Sequence, residues 1–312
     1  MNELRQAAEF LLEHDNFEIL THAYPDGDTL GSGYALCLAL QQLGKRARVI
    51  STNIPKDFEF LTDGVQAQDF AAETIVSVDV ADEKLLGSNE EKYSGKIQLC
   101  IDHHAINKVN APLKCVCPNA AANCEILYEL FKVMKVELTL QTATCLYTGI
   151  ATDTGCFKYS NTTPHTLRIA ADLIELGVDA PAINKVMFDT KTKKQISLEQ
   201  EIYNSIEYYS DDRCAIIAAT IEIQRKLGLG EDDLEGLASI PRCIEGVLVG
   251  VTMREKEENV FKISVRTDRN VNAAEFCSQF GGGGHHEAAG CQIRGTLSEV
   301  KDMLKRAVDE VL

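Results

Sequence analysis

Residues 17–31 read FEILTHAYPDGDTLG, and the rest of the chain is best understood outward from them. Phe17–Thr21 is an apolar run of strand length, Thr29–Leu43 has helical spacing, and Pro25-Asp26-Gly27 between them is turn chemistry. His22, Asp26 and Asp28 therefore stand just past the end of a strand. The event recurs downstream. Ala47–Ile50 reads as a second strand, and the apolar runs Thr74–Val78 and Ile97–Ile101 each end directly at an aspartate, Asp79 and Asp102, the latter followed by His103 and His104. Strands alternating with helical patterns predict βαβ units, an α/β fold whose mostly parallel sheet is flanked by helices. Cys124–Lys135, Leu140–Ala151, His165–Leu176 and Pro181–Phe188 continue the helical pattern, and Asp153 follows in ATDTGCF.

The character changes at Phe188–Ser210, a polar stretch with Ile196, Ile202 and Ile206 that reads as a helix joining two domains. Beyond it Cys214–Ala219, Gly246–Thr252 and Val260–Val265 read as strands. Val271–Phe280 and Leu297–Val311 read as helices, the second opened by the capping box Thr296-x-x-Glu299. The expected organisation is a first domain over 1–188, a helical linker over 189–210 and a smaller α/β domain over 211–312, with the active site in the cleft between the domains.

Composition narrows the class. The chain has 312 residues, 45% apolar and 25% charged, ordinary for a globular protein. Apolar runs such as Tyr34–Leu40 fall far short of the ~20 residues that span a bilayer, and Glu3, Arg5, Glu9 and Glu13 break up Met1–Glu13, so no membrane partner and no signal peptide are expected. Eleven cysteines without a framework suit reduced thiols in the cytoplasm. A formal net charge of −16 argues against tracking long duplex DNA, which binds by phosphate neutralisation. A short anion held by locally concentrated charge or metal remains compatible.

Ligands in open α/β sheets collect at the carboxyl ends of the strands, which is where the Asp and His residues fall. Taken singly, an Asp-Gly-Asp is a turn and Asp79 or Asp153 a helix cap. Together, four carboxylates and at least two imidazoles at one sheet edge would repel one another without a cation. Oxygen and imidazole donors without thiolate suit Mn²⁺ or Mg²⁺. The number of donors suits two ions ~3.5–4 Å apart sharing a carboxylate, an arrangement that hydrolyses phosphoesters or phosphoanhydrides.

THAYPDGDTLGS, the lone Asp79 after a strand, IDHH and ATDTGCF resemble the four ordered motifs of the DHH phosphoesterase superfamily, and GGGGHHEAAG (281–290) resembles the signature of the DHH-associated C-terminal domain. The resemblance implies one ion held by His22, Asp26 and Asp79 and a second by Asp28, Asp79, His103 and Asp153, two Mn²⁺ (or Mg²⁺) in all. Asp79, Asp102, His103 and His104 would form the catalytic group, with Asp102 orienting the site and His104 facing the substrate phosphate. Arg266, the glycines Gly282, Gly283 and Gly284, and His285 would grip the nucleotide, the glycine run through exposed N–H groups. Within the superfamily the chain is similar to the stand-alone nanoRNase/pAp-phosphatase group, implying hydrolysis of short oligoribonucleotides and of 3′-phosphoadenosine 5′-phosphate (pAp), with short RNA or nucleotide as partner and a homodimer as the oligomer allowed for. Cyclic or linear di-AMP is the alternative substrate, pyrophosphate a more distant one, and a non-catalytic nucleotide sensor the alternative of another class.

Overall fold

The computed structural model describes residues 2–234, 236–268, 270–284 and 286–312. It divides into two compact units, one ending at Thr190 and the other beginning at Lys191.

The first unit opens with α1 (Asn2–Glu13), β1 (Phe17–Leu20), α2 (Gly27–Gln42), β2 (Ala47–Ile50) and β3 (Thr74–Val78). It continues through α3 (Glu90–Tyr93), β4 (Leu99–Asp102), β5 (Leu113–Val116), α4 (Asn123–Met134), α5 (Leu140–Asp153), α6 (Pro164–Glu175) and α7 (Ala180–Asn184). The five strands form one sheet in the order β2-β1-β3-β4-β5, every pair parallel. β1 is buried along its whole length, as a strand covered on both faces must be, and this is why FEIL shows no clean alternation. The alternation of strands and helices expected from the sequence is thus present, with β5 as an additional edge strand. LKCV carries too little apolar signal to announce itself, and its pairing with β4 defines it.

Helix α2 is buried on nearly all sides, and small residues let α4 and α5 approach it closely. A Cβ built on Gly31 would lie 2.5 Å from the Cys145 carbonyl oxygen, and one on Gly149 would lie 2.3 Å from Cys124 Sγ and 2.7 Å from the Asp28 carboxylate. This crossing fixes where the N-terminus of α2 and the C-terminus of α5 sit, and with them Asp28 and Asp153.

The second unit contains α8 (Lys193–Asn204), β6 (Glu207–Tyr209), β7 (Cys214–Ala219), α9 (Ile221–Leu227), β8 (Val249–Glu257), β9 (Val260–Thr267), α10 (Ala273–Ser278), β10 (Gly283–Gly284), β11 (Ala288–Arg294) and α11 (Leu297–Asp309). Its sheet runs β10-β11-β9-β8-β7-β6, antiparallel except for β7 with β8. Val251, Met253, Phe261, Ile263 and Val265 pack against Phe276 of α10 and Val300, Leu304 and Val308 of α11. The expected capping box opens α11, Thr296 and Glu299 exchanging hydrogen bonds of 2.8 and 3.3 Å. Helix α8 is packed as part of this unit, with Leu198 and Ile202 buried against Ile217, Ala219 and Leu237. Among the described residues no helix is long and apolar enough to cross a membrane, and all eleven cysteines are free thiols.

Candidate metal centre

At the carboxyl edge of the first sheet, side chains from β1, β3, β4, α2 and α5 converge. Asp26 is the N-cap of α2, its carboxylate accepting from the backbone N–H of Asp28 (3.1 Å) and Thr29 (3.0 Å). Asp26 is thus a local structural residue as well as a candidate ligand. Its other oxygen lies 3.6 Å from His22 Nε2, which is also 3.7 Å from Asp79 Oδ2.

Asp79 sits at the centre. It follows β3 with a left-handed backbone (φ 56°), a conformation rare for a non-glycine residue and costing roughly 1–2 kcal/mol. Its N–H donates to the Ile101 carbonyl of the neighbouring strand at 3.0 Å. The side chain is buried, and among the described residues Oδ1 has no hydrogen-bond partner. Burial, with Asp28, Asp26 and Asp102 nearby, pushes its carboxyl well above the usual range. A buried carboxylate oxygen without a hydrogen bond, in such company, suits a cation.

His103 faces three carboxylates with one nitrogen. Nε2 lies 3.4 Å from Asp79 Oδ1, 3.3 Å from Asp153 Oδ2 and 3.8 Å from Asp28 Oδ2. Its Nδ1 lies 3.3 Å from the Ala120 carbonyl, a contact that assigns the proton to Nδ1 and leaves Nε2 as the donor atom for a metal. Burial works to lower the His103 pKa, but Asp28 and Asp153 outweigh it and hold the ring above its usual value.

Asp28 is fully buried and accepts from the N–H groups of Asn123 (2.6 Å) and Cys124 (2.9 Å). These are the first two residues of α4, whose own N-cap, Ala122, has no side-chain acceptor to offer. One helix thus caps another through a site residue. Asp153 ends α5, where the helix dipole opposes a carboxylate. Burial and the charges of Asp28 and Asp26 push its carboxyl well above the usual range. The chain then turns through three left-handed residues, Gly155, Cys156 and Phe157 (φ 56°, 57° and 63°). Downstream of the turn, the Asn161 amide donates to the Ala121 (3.0 Å) and Asp153 (3.1 Å) carbonyls.

Asp102 is fully buried and 2.7 Å from His104 Nδ1, and its second oxygen accepts from the Asn107 amide at 2.7 Å. Burial alone would raise its pKa, yet the hydrogen bonds from His104 and Asn107 hold it below the usual range. The three groupings His22–Asp26–Asp79, Asp79–His103–His104 and Asp28–His103–Asp153 each offer donor atoms within 4.8 Å of one another. The first unit thus brings together all eight acidic and histidine residues singled out from the sequence. Asn107, Asn161, the Ala120 carbonyl and the α4 amides are additions that sequence reading missed. Asn107 lies only three residues past His104, but an asparagine in a loop carries no signal of its own.

In the second unit, Arg266 is on β9, opposite Ala288. Part of the glycine run pairs as β10 with β11, Gly283 opposite Gly290 and Gly284 opposite Ala289. A Cβ on Gly282 would lie 2.2 Å from the Gly290 carbonyl oxygen, and one on Gly284 would lie 2.6 Å from that of Ala288, whereas one on Gly283 would meet nothing. Gly282 and Gly284 are thus accounted for by the approach of β11, while Gly281 and Gly283 face open space. His285 lies outside the described residues.

The model of the DHH family, N-terminal domain, matches residues 16–150, and that of the DHHA1 domain matches residues 215–312. The chain is 32% identical over 303 residues to the bifunctional oligoribonuclease and PAP phosphatase NrnA of Thermus thermophilus, covering 94% of this chain and 89% of that protein. It is 24% identical over 287 residues to the protein of the same name from Bacillus subtilis, covering 90% of each. Among solved structures, an exopolyphosphatase-related protein from Bacteroides fragilis superposes with a TM-score of 0.91 at 24% identity, covering 99% of this chain and 96% of that one. RecJ from Thermus thermophilus, solved with Mn²⁺, gives 0.54 at 15% identity, covering 99% of this chain and 54% of that one. Two family models in order along the chain, and a relative 32% identical along almost all of it, establish that this chain belongs to the DHH family and is a phosphoesterase.

Proposed function

We propose that the chain hydrolyses short oligoribonucleotides and removes the 3′-phosphate of pAp at a centre of two divalent ions, Mn²⁺ or Mg²⁺. The observation that carries this reading is the buried Asp79 carboxylate, one oxygen without a hydrogen bond, shared by two of the candidate ligand groupings. His22, Asp26 and Asp79 would hold one ion, and Asp28, Asp79, His103 and Asp153 the other. When bound, such ions neutralise phosphoryl charge and make water a better nucleophile.

The protein's own groups have separate tasks in this reading. Asp79 joins the two ligand sets. The Ala120 carbonyl fixes the His103 ring, and Asn161 ties the Asp153 end of α5 to the segment carrying that carbonyl. Asp102, held ionised, takes the hydrogen bond of the His104 Nδ1 proton and leaves Nε2 to meet the substrate phosphate. Arg266 supplies a planar fork suited to a phosphate on the nucleotide, and Gly283 leaves backbone open for close approach. The names of the relatives, oligoribonuclease and PAP phosphatase, supply the substrate class.

The test is turnover by purified protein with Mn²⁺ of pAp, pApA, a five-nucleotide RNA, cyclic di-AMP and pyrophosphate. AMP released from pAp and from the short RNAs, and lost on adding chelator, is the expected result. Preference for cyclic di-AMP would replace the substrate while keeping the centre. No product from any of them would support a nucleotide-binding protein instead.

A further inference from the structure

The loops that follow β1 and β4 each carry a large apolar side chain that the fold leaves uncovered. Tyr24 is 85% exposed and Ile106 72%, the two highest values for large apolar side chains among the described residues, ahead of Tyr203 at 56%. A single exposed apolar residue is ordinary on a protein surface. The placement of these two is not. Tyr24 stands two residues past His22, and Ile106 two past His104. Both histidines face the same carboxylate, His22 at 3.7 Å and His104 at 3.6 Å from Asp79. The two most exposed apolar groups therefore belong to the two loops that meet at Asp79.

In both loops the backbone is held while the side chain is not. The Ala23 N–H donates to the Leu85 carbonyl at 2.7 Å, and the Ala23 carbonyl accepts from the Thr52 hydroxyl at 3.2 Å. The Ala23 methyl sits against Gly87, where a Cβ would come within 2.5 Å of it and where φ is 59°. The segment after β3 is thus shaped to seat Ala23, and this fixes where the next residue, Tyr24, starts. Ile106 is followed by Asn107, whose amide donates to the Val80 carbonyl at 3.0 Å, and by Lys108, whose N–H donates to the Ala81 carbonyl at 2.7 Å. Among the described residues the Tyr24 side chain has neither a hydrogen bond nor a ring contact.

A flat aromatic face on an anchored backbone, beside a centre that would take a nucleotide's phosphate, suits base stacking. Every nucleobase offers a π-face, and stacking on an aromatic side chain tolerates any base. We infer that Tyr24 is the stacking platform for the nucleobase next to the phosphate at the centre, with Ile106 as an apolar contact from the β4 loop. This rests on the nucleotide reading above and goes beyond it. Tyr24 becomes the residue that separates nucleotides, whatever their base, from base-free phosphates such as pyrophosphate.

The chain has no tryptophan, so Tyr24→Trp in the full chain places a single indole reporter at the platform. The probes are AMP, a product of the proposed reaction, and ribose 5-phosphate, the same molecule without its base, both titrated in Mg²⁺. AMP should quench the indole saturably, and ribose 5-phosphate should leave it unchanged. By calorimetry the wild type should bind AMP about tenfold more tightly than ribose 5-phosphate. Tyr24→Ala should cut that ratio to below about threefold, Tyr24→Phe should keep it, and CMP and GMP should follow AMP within about threefold. Tyr24→Ala should also hold Mn²⁺ as tightly as wild type, which a residue serving only the shape of the ligand loop would not. An indole indifferent to AMP, equal losses for both probes in Tyr24→Ala, or no measurable AMP binding by the wild type would overturn the inference. Wild-type turnover of pAp and of a five-nucleotide RNA, run in parallel, reads the functional proposal separately. Absence of hydrolysis is the failure of that proposal, whereas hydrolysis with an unmoved Tyr24→Ala ratio sinks the platform alone.

Discussion

Asp79 concentrates the strain of the centre in one residue: a left-handed backbone, a buried carboxylate and an oxygen without a hydrogen bond. Asp79→Asn should therefore abolish turnover while leaving the metal-free protein at least as thermostable as wild type, since it removes one of several repelling carboxylates. A Tm drop of several degrees in chelator would show that Asp79 serves the fold instead. The pH dependence has a definite sign. Asp79 and Asp153 are raised above their usual values, so the folded metal-free protein binds more protons than the unfolded chain, and stability falls as pH rises through the raised values. His103, also raised, contributes stability that is full below the usual histidine pKa and lost above its own. The metal-free protein should thus lose stability as pH rises above the ordinary carboxylate range and on through the ordinary histidine range, and Mn²⁺ should raise Tm most at the alkaline end, where it competes least with protons. A Tm gain from Mn²⁺ that shrinks toward alkaline pH would contradict this. At this scale the convergent acidic and histidine side chains were legible because carboxylates and imidazoles directly after apolar runs are chemically conspicuous. Asn107, Asn161 and the Ala120 carbonyl were not, because ordinary groups gain their roles only when the fold brings them near His103, Asp102 and Asp153.

At the scale of elements, the centre depends on how closely α2, α4 and α5 cross. Gly31→Ala would place a methyl against the Cys145 backbone carbonyl, which can yield only by moving α5. A loss of about 1–3 kcal/mol of stability is expected, with weaker Mn²⁺ affinity because α5 ends at Asp153. Unchanged denaturation midpoint and affinity would refute the packing argument. Asn107→Ala removes the amide from Asp102 and should cost roughly 10–100-fold in activity or metal affinity, while a twofold effect would reduce that contact to a loop detail. The buried strands and amphipathic helices were readable because their periodicity is local. β11 was not. AAGCQIR shows no clear alternation, and its strand character comes from seven residues of pairing with β9, an interaction between segments far apart in the chain. α8 looked like a joining helix because its polar majority hides the two buried residues, Leu198 and Ile202, that dock it in the second unit.

For the whole molecule, two units with separate cores match the proposed division of chemistry, with the candidate metal ligands in the first and the nucleotide-gripping residues in the second. The acidic balance bears on substrate length. With net charge −16 spread over the chain, a long polyanion would meet repulsion outside any locally basic strip, so turnover per molecule should fall steeply beyond about five nucleotides and more steeply at low salt, where screening is weak. Undiminished rates on a fifty-nucleotide strand at low salt would contradict this. The central claim is a paired metal site joined by Asp79, and calorimetric titration of the metal-free protein with Mn²⁺ addresses it most directly. Two ions per wild-type chain, falling to one weakly bound ion or none in Asp79→Asn, is the predicted result. A single ion in the wild type, or two retained with unchanged affinity in Asp79→Asn, would contradict it.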